Sequence, residues 1–313
     1  MARLRGVSNR VTAAAGAKRL VTRALNPLAR FVNRVVLTRR YRSLATKVRP
    51  LPVPDFEGPL LLVFPHVDDE VIALGGLLMA WQRHGIAIDL VYTTDSSAGG
   101  TGHTPEERAA TRLAEAQELQ RCTGIRSVTV LSGVNEKLIA ARAQVTRELS
   151  ALIDANPYEA VFAVGPVDAH HEHRTSAALI ADALLTASFT GSVFVGENSS
   201  FLPGHLITHA AALTRAQLGE RDHLFEVFAS QTSMGFEVYH DVARSQRPLA
   251  PGAHAAELFH QTDAAGLKRL CERVEASGPE DALRHRIGNS WSLWKVLRQP
   301  DPGLPPTPHS EEP

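Results

Sequence analysis

The chain has 313 residues, with 33 Lys and Arg against 33 Asp and Glu, 44% hydrophobic content and two cysteines. That profile fits one large globular domain with extensions, and excludes a collagen-like repeat, a disulfide-built secreted scaffold and a wholly disordered chain. No apolar run approaches the roughly 18 residues needed to span a bilayer, and Cys122 and Cys271 form no C-x-x-C pair, so a reducing compartment is expected.

The balanced charge hides a division. Residues 1 to 50 hold 13 Lys and Arg and no acid, which leaves 20 basic and 33 acidic residues, a net of −13, in the other 263. Within that arm Val11, Leu20, Val21, Leu25, Leu28, Phe31, Val32, Val35 and Val36 recur at near-helical spacing among Arg19, Arg23, Arg30, Arg34 and Arg39, a basic amphipathic pattern. Asn26-Pro27 is expected to split it into two helices. Arg30, Arg34 and Arg39 interrupt every apolar stretch long enough to serve as a secretory signal, so a cytoplasmic location is expected. Three readings fit the arm: a helix docked on the chain's own acidic body, a helix lying peripherally on the inner membrane surface through anionic lipid, or an organellar presequence. Nucleic acid is disfavoured as a partner, because only Phe31 and Tyr41 interleave the basic residues.

From Pro50 to Pro59 the segment PLPVPDFEGP reads as an extended linker. The expected division is therefore an extension at 1–49, a linker at 50–58, the main folded domain at 59–297, and a disordered tail at 298–313 that holds six of the 19 prolines. Inside the domain, short runs rich in Val, Ile and Leu at 59–64, 86–94, 127–131, 159–164 and 192–196 alternate with helical patterns at 70–84, 105–122, 138–154 and 174–188. Thr104-Pro105-Glu106-Glu107 supplies a capping hydroxyl, a proline for the first helical position and first-turn acids. Beyond Gly196 a polar loop, a helix near 214–230 and a helical region at about 255–297 are expected. The fold class this predicts is α/β: a Rossmann-like, mostly parallel sheet with helices on both faces, a basic helical N-terminal extension and a helical C-terminal region.

In such a sheet the site lies beyond the carboxyl ends of the strands. Two polar clusters stand there: Pro65-His66-Val67-Asp68-Asp69-Glu70 after the first strand, and Asp168-Ala169-His170-His171-Glu172-His173 after the fourth. A metal hydrolase needs a few nitrogen and oxygen ligands, an open position for water and a carboxylate to take the water's proton. His66 and Asp69, three apart on a strand-to-helix turn, can converge on one ion with His173 completing the set, while Asp68 faces the water. His170 offers a second imidazole near a developing oxyanion. Zn2+ suits this donor set, and Fe2+ fits it as well. The competing reading makes His66 and Asp69 a helix cap and Asp68 and Glu70 first-turn charges.

These residues carry a resemblance. LLLVFPHVDDEVIALGG, residues 60 to 76, resembles the P-H-P-D-D-E signature of the PIG-L/LmbE family of metal-dependent N-deacetylases. In the same order follow TTDSSAGGTG, similar to the family's glycine-containing loop, RLAEAQELQRCTGI, similar to its R-x-x-E helix, HHEH, similar to its H-x-D-H motif, and FASQ, similar to its late S-Q segment. The resemblance implies His66, Asp69 and His173 as metal ligands, Asp68 as general base and His170 as the imidazole that polarises the carbonyl. It also implies that Arg112 reaches a substrate hydroxyl or phosphate, where local pairing with Glu115 is the plainer reading. It further implies removal of an N-acetyl group from an N-acetylglucosamine-type glycoconjugate, small or lipid-linked. The alternatives are another N-acyl amide, such as an acylated amino sugar of a natural product, and a non-catalytic sugar-binding protein on the same fold. Homo-oligomers are compatible with all of these. Val67 in place of the usual Pro, and His171-Glu172 in place of Pro-Asp, are the two departures. Ser97, Gly99, Gly100 and His103 are expected to border the cleft, Ser230-Gln231 to support it from behind, and Trp291 and Trp294 to be buried with Leu293 and Leu297.

Overall fold

Leu60–Phe64, five apolar residues in succession, form β2 and are buried on both faces, as a central parallel strand requires. The computed structural model describes residues 24–44, 48–51 and 56–299. Residues 24–43 are helical (α1), followed by the two-residue edge strand β1, Arg49–Pro50. After β2 the chain alternates as the sequence pattern predicts: α2 Asp69–Arg83, β3 Ile88–Thr94, α3 Pro105–Thr123, β4 Ser127–Gly133, α4 Leu138–Asp154, β5 Ala160–Val164, α5 His171–Thr186 and β6 Ser192–Gly196. The remainder is β7 His209–Leu213, α6 Arg215–Leu224, α7 Glu237–Gln246, β8 Ala255–Thr262, α8 Ala264–Ala276, α9 Pro279–Ala282 and α10 Ser290–Val296.

One eight-stranded sheet runs β1-β7-β8-β6-β5-β2-β3-β4. β2 pairs in parallel with β3 on one side and β5 on the other, with Leu60 opposite both Ile88 and Ala160. Strand order reverses there, so the loops leaving β2 and β5 part company and open a cleft between them. α4, α5 and α8 pack together, and α2 packs with α3 and α6, which gives helices on both faces of a mostly parallel sheet.

Three expectations are corrected. The region from 255, read as helical, opens with β8, which runs antiparallel between β6 and β7. His209–Leu213, with three consecutive alanines, is a strand although alanine favours helix; sheet neighbours on both sides of β7 override that preference. Asn26-Pro27 lies inside the described helix α1, not at a break: Pro27 is the fourth described residue of that helix, where its missing N–H interrupts no hydrogen bond among the described residues. The parts of the linker at 52–55, the arm before 24 and the tail from 300 lie outside the described residues.

α1 is docked. Leu37 and Tyr41 join the main core, and Arg30 pairs with Asp241 of α7 at 2.6 Å. α2 contains a break at Leu74 (φ −151°, ψ 22°), and the N–H groups of Gly76 and Leu77 donate instead to the buried carboxylate of Glu257 on β8, at 2.9 and 3.1 Å. A Cβ on Gly76 would stand 2.6 Å from Leu213, so only glycine allows this approach of α2 to the sheet.

Candidate active site

The turn from β2 into α2 places the first cluster. Asp68 adopts φ 111°, a left-handed conformation that costs a non-glycine residue on the order of 1–3 kcal/mol and persists only where its surroundings hold it. What holds it is specific. Its N–H donates to Glu70 Oε2 at 3.2 Å, its carbonyl accepts from Val71 and Ile72, and its carboxylate accepts from Arg112 Nη2 at 3.0 Å. Val67, where the resemblance leads one to expect proline, uses the N–H that proline lacks: it donates to Ser96 Oγ at 3.0 Å.

β5 brings the second cluster alongside. His170 caps α5, its Nδ1 accepting from Glu172 N at 3.3 Å, and His173 falls in the first turn. The rings of His66, His170 and His173 lie 4.8 to 5.4 Å apart by centroid. His66 Nδ1 approaches Asp69 Oδ2 at 3.2 Å and His173 Nε2 approaches the same oxygen at 3.4 Å. Their other ring nitrogens are engaged from behind, His66 Nε2 by Glu172 Oε2 at 2.9 Å and His173 Nδ1 by Asp168 Oδ2 at 3.1 Å, the latter contact out of line with the ring N–H. Each imidazole therefore has one nitrogen on a carboxylate of its own and the other turned to a shared point beside Asp69.

This donor set fits a divalent metal. One ligand atom each from His66, Asp69 and His173 lies within 4.8 Å of the others, and the outer carboxylates Glu172 and Asp168 are the partners that orient metal-bound histidines and raise their basicity. Glu172 is itself anchored by the side-chain amide of Asn135 and by Glu136 N, and Asp168 by Ser199 N at 2.9 Å.

Electrostatics separate the groups by role. Burial raises the Asp68 carboxyl to about 7, although the Arg112 guanidinium pulls it down and Asp69 pushes it up. Burial also opposes ionisation of Asp69, but His173 and His66 hold it well below the usual carboxylate range. Burial lowers His170 to about 2, with the neighbouring His173 and His66 adding to the effect, so His170 is neutral. With Nδ1 accepting, its proton sits on Nε2.

The sequence candidates gather in one cavity of about 250 Å³, lined by His66, Asp68, Asp69, Arg112, His170 and His173. Arg112 is buried, and its guanidinium is occupied by Asp68, by Glu115 at 2.6 Å and by Ser230 Oγ at 3.2 Å. Ser230 also binds Glu115, as support from behind requires. Gly99 and Gly100 line the cavity, Gly100 at φ 92° with Ser230 Oγ where a Cβ would point, whereas His103 is exposed. Trp291 and Trp294 are 41% and 43% exposed, which corrects the expectation of burial; Leu293 alone of that group is fully buried. Asn135, Asn198, Ser199, Tyr239 and Arg286 also line the cavity and went unnoticed in the sequence. Asn135 and Asn198 follow strands β4 and β6, the one available signal.

Residues 61–184 match the sequence model of the family described as PIG-L: GlcNAc-PI de-N-acetylase. No curated protein matches the chain. Among solved structures the chain is similar to the N,N'-diacetylchitobiose deacetylase from Pyrococcus horikoshii, at 20% identity and TM-score 0.58 over 66% of this chain and 84% of that one. It is also similar to a deacetylase of the teicoplanin biosynthetic pathway (15%, TM-score 0.53, 65% of this chain and 98% of that one). A third similar structure is the deacetylase of the A40926 pseudoaglycone (12%, TM-score 0.54, 67% and 99%). Residues 61–184 are thus similar to the PIG-L family, and the chain is built on the α/β fold that these deacetylases share.

Proposed function

We propose that the chain is a metal-dependent hydrolase that removes the N-acetyl group from an N-acetylglucosamine-type glycoconjugate. One observation carries this reading: His66, Asp69 and His173 converge, each imidazole backed by its own carboxylate, while a separate buried carboxylate, Asp68, faces the same cavity. A site built only to hold a metal has no use for Asp68 in a strained conformation.

Zn2+, with Fe2+ as the alternative, is the ion suited to two imidazoles and a carboxylate, and when bound it supplies an acidified water and polarises the acyl carbonyl. Asp68 takes the water's proton as the C–O bond forms, and returns it to the leaving nitrogen as the C–N bond breaks. His170 donates its Nε2 proton as a hydrogen bond to the oxyanion between those events. Arg112 keeps Asp68 aimed and shares its charge. Acetate and a free amine are the products. Residues 59–297 form the catalytic domain in this reading, with 1–49 as an extension.

The sugar rests on likeness: the family is described by GlcNAc-PI, and similar structures are deacetylases of diacetylchitobiose, of the teicoplanin pathway and of the A40926 pseudoaglycone. A lipid-linked amino sugar, met from the cytoplasm at an anionic inner-membrane surface, is the form the basic arm favours.

The test is metal analysis of the purified chain paired with acetate release from a panel of N-acetylglucosamine conjugates, beside Asp68→Ala. The reading expects metal near one per chain and acetate release that falls by about 10²- to 10⁴-fold in the variant while its metal stays. Metal without acetate from any sugar moves the substrate to another amide. Unchanged ligand binding in Asp68→Ala, with no turnover in either protein, installs the sugar-binding alternative.

A further inference from the structure

Ten large hydrophobic side chains are exposed among the described residues, and six of them, Leu25, Leu28, Phe31, Val32, Trp291 and Trp294, lie on α1 and α10. The two helices come from opposite ends of the chain yet are neighbours: Asn33 Nδ2 on α1 donates to Ser290 O, at the start of α10, at 2.7 Å. The inward side of α1 is taken up by Arg30 on Asp241 and by buried Asn33, Leu37 and Tyr41. Leu25, Leu28 and Val32, continued by Arg39 and Arg42, recur at helical spacing on its other side. On α10, Leu293 and Val296 turn inward, which leaves Trp291 and Trp294 outside with Lys295 and Arg298.

Charge says what covers this face. Residues 24–44 and 283–299 contain no Asp or Glu, in a chain whose residues beyond 50 carry a net of −13. Exposed Arg39, Arg42, Lys295 and Arg298 form no ion pair with a described residue. Residues 1–23 add six more Lys and Arg, again with no acid. Apolar and Trp side chains fringed by unneutralised cations match the headgroup zone of an anionic bilayer, where indole sits between tail and water and basic residues are drawn to the lipid anions. A second copy is a poorer occupant, because a two-fold contact brings the same acid-free patch against itself and sets like charges together.

We infer that α1 and α10 together form a docking face for an anionic lipid surface, with Leu28, Phe31, Trp291 and Trp294 inserted among the headgroups and Arg39, Arg42, Lys295 and Arg298 on the lipid anions. Arg286 and Ile287 line the cavity and Asn289 caps α10, so one short segment carries both the cavity wall and the membrane face. This goes beyond a basic arm acting alone: the C-terminal helix supplies the two indoles.

The experiment uses the full chain and large vesicles of phosphatidylcholine alone or mixed with phosphatidylglycerol. Of the three tryptophans Trp81 is fully buried, so quenching of emission by brominated acyl chains reports on Trp291 and Trp294. The expected result is flotation with the anionic vesicles, weakened by salt, with quenching, and a loss of about ten-fold or more in affinity for the variant L28S/F31S/W291S/W294S. The charge variant R39E/K295E, confined to exposed side chains, should lose affinity similarly and guards against misfolding of the first. No flotation with anionic vesicles, or equal flotation by wild type and both variants, overturns the inference. So does concentration-dependent self-association that the variants abolish without any vesicle binding. Vesicle capture needs no turnover, so its failure and that of the deacetylase reading are seen separately.

Discussion

Asp68 and Arg112 form the most consequential pair in the site. Arg112 is buried at 3.0 Å from the Asp68 carboxylate, and it opposes the rise that burial imposes. Removing the cation takes away a lowering influence, so the carboxylate protonates at higher pH and the activity that depends on it is lost sooner on acidification. Arg112→Leu is therefore expected to move the acidic limb of the kcat profile upward by about one pH unit, with metal content unchanged; an unmoved limb in rate-against-pH measurements refutes this. The sequence shows the Arg112–Glu115 spacing but not that the guanidinium crosses 44 positions to reach Asp68, because that contact exists only once α3 is packed beside α2. His66, Asp69, His170 and His173 were legible as candidates because each cluster sits on a short turn after a strong strand signal. Glu172 and Asp168 were visible as residues but not as the partners of His66 and His173, since the direction in which a side chain points is not written in its spacing.

At the scale of elements, α1 joins the core rather than merely covering it. Leu37 and Tyr41 are buried, and Tyr41 shares the half-buried Glu197 with Gln246 of α7. Leu37→Ala is expected to cost about 2–4 kcal/mol in chemical denaturation, the transfer energy plus the residual cavity. Burial raises the Glu197 carboxyl from 4.5 to about 7. The folded chain then holds more protons than the unfolded one between those values, so stability falls as pH climbs through that window and stays lower above it. Glu197→Gln removes this penalty, and its unfolding free energy in chemical denaturation should gain on wild type from pH 5 to pH 8, by on the order of 2 kcal/mol once the partial exposure of Glu197 is allowed for; a constant gap across that range contradicts it. The alternating βα units from 60 to 196 were readable from hydrophobic period alone, and the Thr104 capping box forms as its residues suggest. β7 and β8 were not. Ala-rich and polar-spotted, they are strands because the sheet edge beyond β6 needs partners, a condition imposed by distant chain.

For the whole molecule, the convergence of His66, Asp69 and His173 from two separate loops means that a metal held by them would be tied to the folded state. A ligand that binds only the folded chain stabilises it by about 2.7 kcal/mol at one hundred times its dissociation constant. Chelation should therefore lower the melting temperature by several degrees and added Zn2+ should restore it, whereas His66→Ala should show neither response in a thermal scan.

The sequence by itself determined the parallel α/β core and the two polar loops that hold the candidate site, because strand, turn and cap signals are local and the clusters lie within a few residues of them. Tertiary structure alone decided which carboxylate stands behind each imidazole, that Arg112 serves Asp68, that an antiparallel β8 is inserted between β6 and β7, and that Asn33 of α1 meets Ser290 at the start of α10. Each of these depends on contacts across tens to hundreds of positions, and such contacts are selected by packing and charge in three dimensions, where no period in the chain records them.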